Sequence, residues 1–269
     1  MKQIAPFSLL FEDAYIAAVN KAAGIAVSPD RWDESKDRLD KLVAGFLARE
    51  DGTGEKRLHT VHRIDQDTSG LVVFAKDAET HRLLSKAFED RQVKKRYIAV
   101  VHGRPGWEET ACDLPLVPNG NKRHLTIIDK YRGKKSLTHF RVLGGAGSYS
   151  VIEALPATGR THQIRVHLAH LGCPVVCDPL YGSPKPVLLS SFKLNWRGDP
   201  LEENPLLARL GLHAAELELP PYPAPDPATG ESSGSPGGLR LAAPLARDMA
   251  ALIKQMEKQA GKRFIDEKL

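Results

Sequence analysis

HRIDQDTSGLVVFAKD, residues 62–77, sets a polar turn directly before an apolar run. The run at 71–76 is apolar and rich in β-branched residues, which predicts a buried strand. If the residues before it are extended, Arg63 and Asp65 point to the same side. A surface Arg–Asp pair is the ordinary interpretation of that pattern. A polar turn at the start of a buried strand is also where a rigid scaffold often presents catalytic groups.

Helix-type and strand-type patterns follow each other irregularly along the rest of the chain. Helical spacing of apolar residues occurs at 38–49, 78–90, 161–171 and 244–260. Strands are predicted at 96–102, 123–129, 136–143, 148–155, 212–219 and 239–242. Because there is no regular βαβ alternation, we predict an α+β fold with a mixed, mainly antiparallel central sheet and flanking helices.

The ends of the predicted helices have specific candidates. Asp77 and Thr161 are suitable N-cap residues, Gly172 is a suitable C-terminal stop, and Pro244 suits a first helical position. A stretch rich in Pro, Gly and Ser at 220–238 can be either a domain linker or a long hairpin connection.

The composition excludes several protein classes. The chain has 269 residues, 42% of them hydrophobic, which is enough for a sizeable core. No apolar run reaches roughly 18 residues, and Glu12 and Asp13 interrupt the N-terminal segment, which is unlike a signal peptide. Three cysteines without framework spacing favour reduced thiols. We therefore expect a soluble, cytoplasmic protein without a membrane partner.

Positive charge is concentrated in two clusters, in a chain with a net charge of +5 and a pI of about 9.0. The first contains Arg91, Lys94, Lys95 and Arg96, and the second contains Lys122, Arg123, His124, Lys130, Arg132, Lys134 and Lys135. Such clusters are either solvated surface or contacts for phosphate groups. Tyr97 begins the strand after the first cluster, where a core position is the simpler interpretation.

A second polar constellation lies in ATGRTHQIRVHLAH, residues 157–170. Arg165 stands one position away from the apolar face of the predicted helix, where a solvated side chain is the ordinary interpretation. The spacings of His162, His167 and His170, five and three residues, match no common metal-ligand pattern, so we predict no metal. The chain also lacks the Walker A, GxGxxG and GxSxG motifs, so no nucleotide cofactor is indicated.

Taken together, five segments resemble, in order, motifs of the RluA-type pseudouridine synthases. They are NKAAGIAVSP (20–29), HRIDQDTSG (62–70), KRYIAVVHG (95–103), TGRTHQIRVHLAHLGCPVVCDPLYG (158–182), and LHAAELEL (212–219) with DPATGE (226–231) and APLARD (243–248). The resemblance runs from about residue 15 to residue 253. It implies a single catalytic domain over 1–269, with 220–238 as a hairpin connection and 244–260 as a C-terminal helix.

The resemblance implies an enzyme that isomerises a uridine of ribosomal or transfer RNA to pseudouridine without a cofactor. Asp65 corresponds to the family's catalytic carboxylate, which acts at C1′, at C6 or on the C2′ proton. Arg165 would pair with it, Tyr97 would stack on the uracil, and Arg63 would fill the space that the flipped base leaves. By the same resemblance, the residues expected to bind substrate are Arg63, Thr68, Arg160, His162 and Ile164.

The chain departs from the family pattern at three positions. Ala22 stands where the family usually has Pro, Ile64 where it has Leu, and Cys177 where it has Gly before Asp178. Family members often carry an N-terminal RNA-binding domain of the S4 type, but the resemblance here starts near residue 15, so we expect the catalytic domain itself to recognise RNA. We also expect a monomer. An RNA-binding protein of the same fold without turnover is the alternative, and a metal-dependent nuclease that uses the histidines is another.

Overall fold

The computed structural model describes residues 5–28, 38–51, 57–121, 125–193, 195–222 and 238–265. The strands are β1 Phe7–Glu12, β2 Ile16–Lys21, β3 His59–Thr60, β4 Ser69–Ala75, β5 Lys94–His102, β6 Glu109–Asp113, β7 Leu116–Val117, β8 Ile127–Ile128, β9 Leu137–Ala146, β10 Tyr149–Pro156, β11 Leu212–Leu219 and β12 Leu239–Ala242. The helices are α1 Leu39–Asp51, α2 Ala78–Glu89, α3 Gln163–His170 and α4 Arg247–Ala260, with a short 3₁₀ turn at Leu189–Ser191.

The chain forms two compact units. The first consists of Met1–Lys95 with Ala214–Pro244, and the second of Arg96–His213 with Leu245–Leu269. The single catalytic domain over 1–269 stays a prediction. The α+β class with mainly antiparallel strands is confirmed, since β2 pairs antiparallel with both β1 and β4, and β10 with both β5 and β9.

The first unit is a sheet in the order β1-β2-β4-β11, with β3 on β4 and β12 on β11. Its core joins Ile16 of β2 and Val73 of β4 to Leu84 of α2 and Leu217 of β11. Gly70, with φ of +114°, begins the apolar run of β4, and a Cβ atom there would overlap the backbone of Ala214. Only glycine combines this conformation with so close an approach of another strand.

The second unit is a sheet in the order β5-β10-β9-β6, and α3 packs on it. Ile152 of β10, Phe140 of β9 and Leu168 of α3 belong to its core. α4 lies along β9, where Phe264, just after the helix, occupies the space that a side chain at Gly144 would need. None of the helices in the described ranges has the length and apolar character required to cross a membrane.

The helix ends agree only partly with expectation. Asp77 is the N-cap of α2, and its carboxylate accepts a hydrogen bond of 2.8 Å from the backbone N–H of Thr80. The prediction of Thr161 as N-cap of α3 is wrong: the cap is His162, in the left-handed conformation with φ of 55°. Gly172, with φ of +77°, follows the end of α3 as predicted.

The chain beyond residue 212 also differs slightly from expectation. β11 pairs antiparallel with β12, which confirms the strands at 212–219 and 239–242, while the connecting residues 223–237 lie outside the described residues. α4 begins at Arg247, three residues after Pro244, whose carbonyl accepts a hydrogen bond from the Asn20 side chain. The predicted strand 123–129 is observed only as the two residues of β8. Residues 122–124 lie outside the described ranges.

Candidate active site

Asp65 lies on the segment that connects β3 to β4 in the first unit, residues 61–68. β3 pairs His59 with Ala75 and Thr60 with Phe74, and the backbone pairing then stops. Beyond that point the imidazole of His62 continues the pairing, because its Nε2 accepts the backbone N–H of Val73 at 3.0 Å. The imidazole of His62 therefore takes the place of the next strand bond and lets the Asp65 segment diverge from β4.

The ring of His62 is fixed and neutral. It stacks on Phe88 of α2, with ring centroids 4.6 Å apart. Burial, together with the charge of Lys95, lowers the pKa of His62 to about 3. Because Nε2 accepts from the backbone, the ring proton belongs on Nδ1. His62 therefore stays neutral at neutral pH and accepts the Val73 N–H, which fixes the segment that carries Asp65 to β4.

Main-chain groups hold the other end of the same segment. The N–H of Thr68 donates to the carbonyl of Asp65 at 3.1 Å, which closes a tight turn. The carbonyl of Gln66 accepts bonds from Gly24 N–H at 2.9 Å and from the ammonium of Lys21 at 2.7 Å. Lys21 is 1% exposed, and its ammonium also donates to the carbonyls of Ala22 and Ile25. A buried ammonium that is shared among three carbonyls fixes the backbone next to Asp65.

The Asp65 segment exposes some side chains and buries others. Arg63 is exposed, Asp65 is half-buried, and Ile64 is 6% exposed and packs inward. The expectation that Arg63 and Asp65 share a side stays a prediction. Thr68 is 1% exposed, and its Oγ1 has no hydrogen-bond partner among the residues that the structure describes. The substrate-binding role assigned to Thr68 stays a prediction and requires that hydroxyl to become accessible.

In the second unit, Arg165 is buried rather than solvated. Its guanidinium makes a bidentate pair with Asp178, with Nε donating at 2.8 Å and Nη2 at 2.7 Å. The side chains are 3% and 0% exposed. Burial raises the pKa of the Asp178 carboxyl, but the hydrogen bonds and charge of Arg165 outweigh burial and hold the pKa below its usual value. The pair is therefore ionised and fixed.

Tyr181 links this ion pair to the beginning of α3. Its ring lies 5.2 Å from the guanidinium carbon of Arg165, a cation–π contact. Its hydroxyl accepts the backbone N–H of Thr126 at 2.9 Å and lies 2.8 Å from Nδ1 of His162. Its own N–H donates to the carboxylate of Asp178. Tyr181 therefore holds Arg165 and His162 in one arrangement.

Asp178 and Tyr181 are site residues that sequence reasoning missed. Both lie in the quoted motif that ends in DPLYG, and the carboxylate in that motif is the signal that could have identified the partner of Arg165. The residue before Asp178, Cys177, has φ of 56°, a conformation that glycine adopts most easily. This explains why glycine is usual at that position in the family that the chain resembles.

A second polar network supports α3 from the side of β9. The amide of Gln163 accepts bonds from the Thr158 hydroxyl at 2.7 Å and the Arg160 N–H at 3.0 Å, and it donates to Thr138 Oγ1 at 2.9 Å. Thr138 lies 3.0 Å from Nδ1 of His167, whose Nε2 contacts the carbonyl of Leu114. His167 thus has a structural role, and burial lowers its pKa.

The remaining predicted residues have diverse surroundings. Arg160 is exposed, and its Nε donates to the carbonyl of Lys135 at 3.3 Å. Ile164 is 7% exposed and belongs to the core of the second unit, against which the half-buried Tyr97 also packs. No group of three His, Cys, Asp or Glu side chains suited to a metal ion occurs within the described residues. Arg63, Asp65 and Thr68 belong to the first unit, and Tyr97, Arg160, His162, Ile164 and Arg165 belong to the second.

Comparisons with known proteins identify the relatives of this chain. Residues 15–170 match the RNA pseudouridylate synthase family. The chain is 37% identical to a ribosomal large subunit pseudouridine synthase D of Zymomonas mobilis over 182 residues, which cover 67% of this chain and 57% of that protein. It is also 37% identical to an uncharacterized RNA pseudouridine synthase of the same organism over 217 residues, 78% of this chain and 96% of that protein.

A solved structure supports the same fold. Human RNA pseudouridylate synthase domain containing 4 superposes with a TM-score of 0.68 at 23% identity, covering 92% of both chains. At that identity the likeness concerns the fold alone. The matched region spans a little over half the length of the first Zymomonas relative and nearly all of the second.

Proposed function

The chain belongs to the RNA pseudouridylate synthase family, and from that premise we propose that it isomerises a uridine of ribosomal RNA to pseudouridine. The observation that carries the proposal is that the family match, residues 15–170, contains the Asp65 segment, Tyr97 and Arg165 together. The ribosomal substrate is inferred from a relative named as a ribosomal large subunit pseudouridine synthase. Action on transfer RNA, the monomeric state and the cytoplasmic location stay predictions.

The reaction rearranges one nucleotide. The bond between N1 of uracil and C1′ of ribose breaks, the base turns, and C5 bonds to C1′. C5 loses its hydrogen and N1 gains one, so atoms and electrons balance within the substrate. The step requires one ionised carboxylate near the ribose and base, and we assign that role to Asp65.

The surroundings of Asp65 suit a group that must meet a large substrate. Its side chain is half-buried, whereas its backbone is fixed by Thr68, by Lys21 through Gln66, and by the His62 bond to β4. A fixed carboxylate lowers the entropy that is lost on reaching the reactive geometry. The exposed Arg63 is available to stack on bases or bind phosphate once the uridine has left its stack.

Tyr97 and Arg165 contribute different chemistry in this proposal. Tyr97 supplies an aromatic face for the uracil and a hydroxyl for proton transfer. Arg165 supplies a positive charge that Asp178 and Tyr181 hold in place. A fixed cation favours the ionised form of a nearby carboxylate.

The test compares two neighbouring aspartates. Replacing Asp65 by Asn keeps the shape of the side chain and removes its charge, and should abolish pseudouridine formation while RNA affinity stays within about tenfold of wild type. Asp67, two residues further on and exposed, is the matched control, and Asp67→Asn should keep full activity. The measurement is chemical mapping of pseudouridine in ribosomal RNA transcribed in vitro. Pseudouridine formed by the Asp65→Asn protein at the wild-type rate would exclude the assignment.

A further inference from the structure

One aromatic side chain of the second unit has no packing role in the fold. Tyr131 is 99% exposed, at the tip of a short loop, residues 129–135, which we call the Tyr131 loop. Tyrosine usually buries much of its ring, because the ring is a large apolar surface. A ring that is fully exposed to water contributes no burial energy to the fold, so the fold does not explain why a tyrosine stands at position 131.

The Tyr131 loop is rigid by construction. The carboxylate of Asp129 accepts the backbone N–H groups of Tyr131 and Arg132, both at 2.9 Å, and the Arg132 guanidinium at 2.7 Å. Those bonds from Arg132 and Tyr131 lower the pKa of Asp129, so it is charged and braced at neutral pH. The N–H of Gly133 donates to the carbonyl of Asp129 at 2.9 Å. An aspartate turn of this kind holds the ring outward at little further cost in entropy.

The base of the Tyr131 loop is equally well fixed. Lys134 and Leu116 exchange both backbone bonds, at 2.9 and 3.0 Å, and Asp129 N–H donates to the carbonyl of Pro115. A Cβ atom at Gly133 would overlap Asp129 and Pro115, so the turn packs directly on the chain before β7. The exposed tyrosine therefore lies on a loop whose base is held by backbone hydrogen bonds.

Charge indicates what the ring faces. Besides Tyr131, the exposed side chains of the loop are Lys130, Arg132, Lys134 and Lys135, all cationic. Arg132 is 70% exposed although it pairs with Asp129. An exposed aromatic ring among cations is the combination that binds unpaired nucleotides, with the ring stacking on a base and the cations contacting phosphates.

The Tyr131 loop is also joined to the residues around Arg165. Arg160 donates to the carbonyl of Lys135, the last residue of the loop. Thr126, the residue directly before β8, donates its N–H to the Tyr181 hydroxyl, and the Tyr181 ring contacts Arg165. Hydrogen bonds and one ring contact therefore connect the Tyr131 loop and β8 to the residues around Arg165.

We propose that the Tyr131 loop is an RNA-binding element, in which the Tyr131 ring stacks on an unpaired base of the RNA while Lys130 and Lys135 contact phosphates. The inference rests on the proposed function for the identity of the partner. It predicts a role in RNA affinity and no role in the chemical step.

The experiment separates stacking from charge. Tyr131→Ala should raise the Kd for RNA about 5-fold to 100-fold, whereas Tyr131→Phe, which keeps the ring, should stay within about twofold. Leu201→Ala is the matched control, since Leu201 is 95% exposed and should leave the Kd unchanged. Lys130→Ala and Lys135→Ala should each reduce the slope of log Kd against log salt by about one, and Tyr131→Ala should leave the slope unchanged.

Two probes distinguish this inference from the proposed function. The first is an oligouridine of about 12 nucleotides, whose binding requires no turnover. The second is transcribed ribosomal RNA, on which single-turnover pseudouridine formation at saturating enzyme should be the same for Tyr131→Ala and wild type. Failure of the wild-type protein to form pseudouridine would overturn the proposed function, with the oligouridine result still informative. An unchanged Kd for Tyr131→Ala, or an equal loss for Tyr131→Phe, would overturn the stacking contact.

Discussion

Asp65 stands on a segment that is held mainly through backbone carbonyl and N–H groups, whereas Arg165 stands on a helix where side chains bond to side chains. In the first region the bonds of Thr68, Lys21 and His62 end on backbone atoms, and the Asp65 side chain stays half-buried. In the second, Arg165 is 3% exposed and pairs with Asp178. Substitutions should therefore mostly affect activity in the first region and folding stability in the second.

The largest effect on stability is expected at Asp178. Asp178→Ala removes the carboxylate that pairs in bidentate fashion with the buried Arg165 guanidinium, which should lower the free energy of unfolding by about 3–5 kcal/mol. Arg209 and Asp248 form an equally bidentate pair, at 2.7 and 2.6 Å, with side chains 21% and 38% exposed. Asp248→Ala, the matched control, should cost about 1 kcal/mol or less because water screens that pair. Urea unfolding of the three proteins measures the difference.

The same ion pair gives a pH dependence with a definite sign. The pKa of Asp178 is lower in the folded protein than its usual value of 3.8. The stability that the pair contributes is therefore complete above pH 3.8 and is lost as the pH falls through the lower folded pKa.

Equal costs in unfolding free energy for Asp178→Ala and Asp248→Ala at neutral pH would show that burial does not separate the two pairs.

His62 should show a smaller effect that divides between stability and catalysis. His62→Phe keeps the stack on Phe88 but leaves the Val73 N–H without its acceptor, so we expect a loss of about 1–3 kcal/mol in unfolding free energy. His62→Gln offers an acceptor oxygen and should recover part of that loss. If His62 positions Asp65, then Gln should also restore the single-turnover rate that Phe loses, with RNA affinity unchanged in both. A rate that follows stability alone in these variants would contradict the positioning role.

Titration of the same histidine provides an independent check. Its pKa is about 3 when folded, against 6.5 as the ordinary value. Unfolding therefore takes up a proton between these limits, and the stability that is complete above pH 6.5 falls as the pH drops towards 3. The slope amounts to at most about 1.4 kcal/mol per pH unit. In His62→Gln this contribution should be missing from unfolding curves measured across that range.

The two regions also differ in how far the sequence predicts them. Periodicity located β4 and α2, and the Asp77 cap followed from its residue type, because these features depend on neighbours in the chain. The role of His62 did not follow, since it depends on where the pairing of β3 with β4 stops. Such a register is decided by packing of the whole sheet.

The region around Arg165 was harder still to predict. Helical spacing placed Arg165 beside the apolar face but could not show that it is buried, because its partner Asp178 lies 13 residues later, beyond the left-handed turn at Cys177. The cap at His162 was missed for a similar reason. Its left-handed conformation accompanies a contact with Tyr181, which local propensity does not include.

Tyr181 offers the smallest and most selective test of the side-chain network. Tyr181→Phe keeps the ring beside Arg165 and removes the hydroxyl, so that the contacts of this hydroxyl with the Thr126 N–H and with Nδ1 of His162 are lost. We expect a loss of about 1 kcal/mol in unfolding free energy. Tyr181→Leu also removes the cation–π contact and should cost about 0.5–2 kcal/mol more. Because Asp178 stays in place, Arg165 remains paired in both variants, so a loss as large as that of Asp178→Ala would show that the ring, and not the carboxylate, is what stabilises the buried charge.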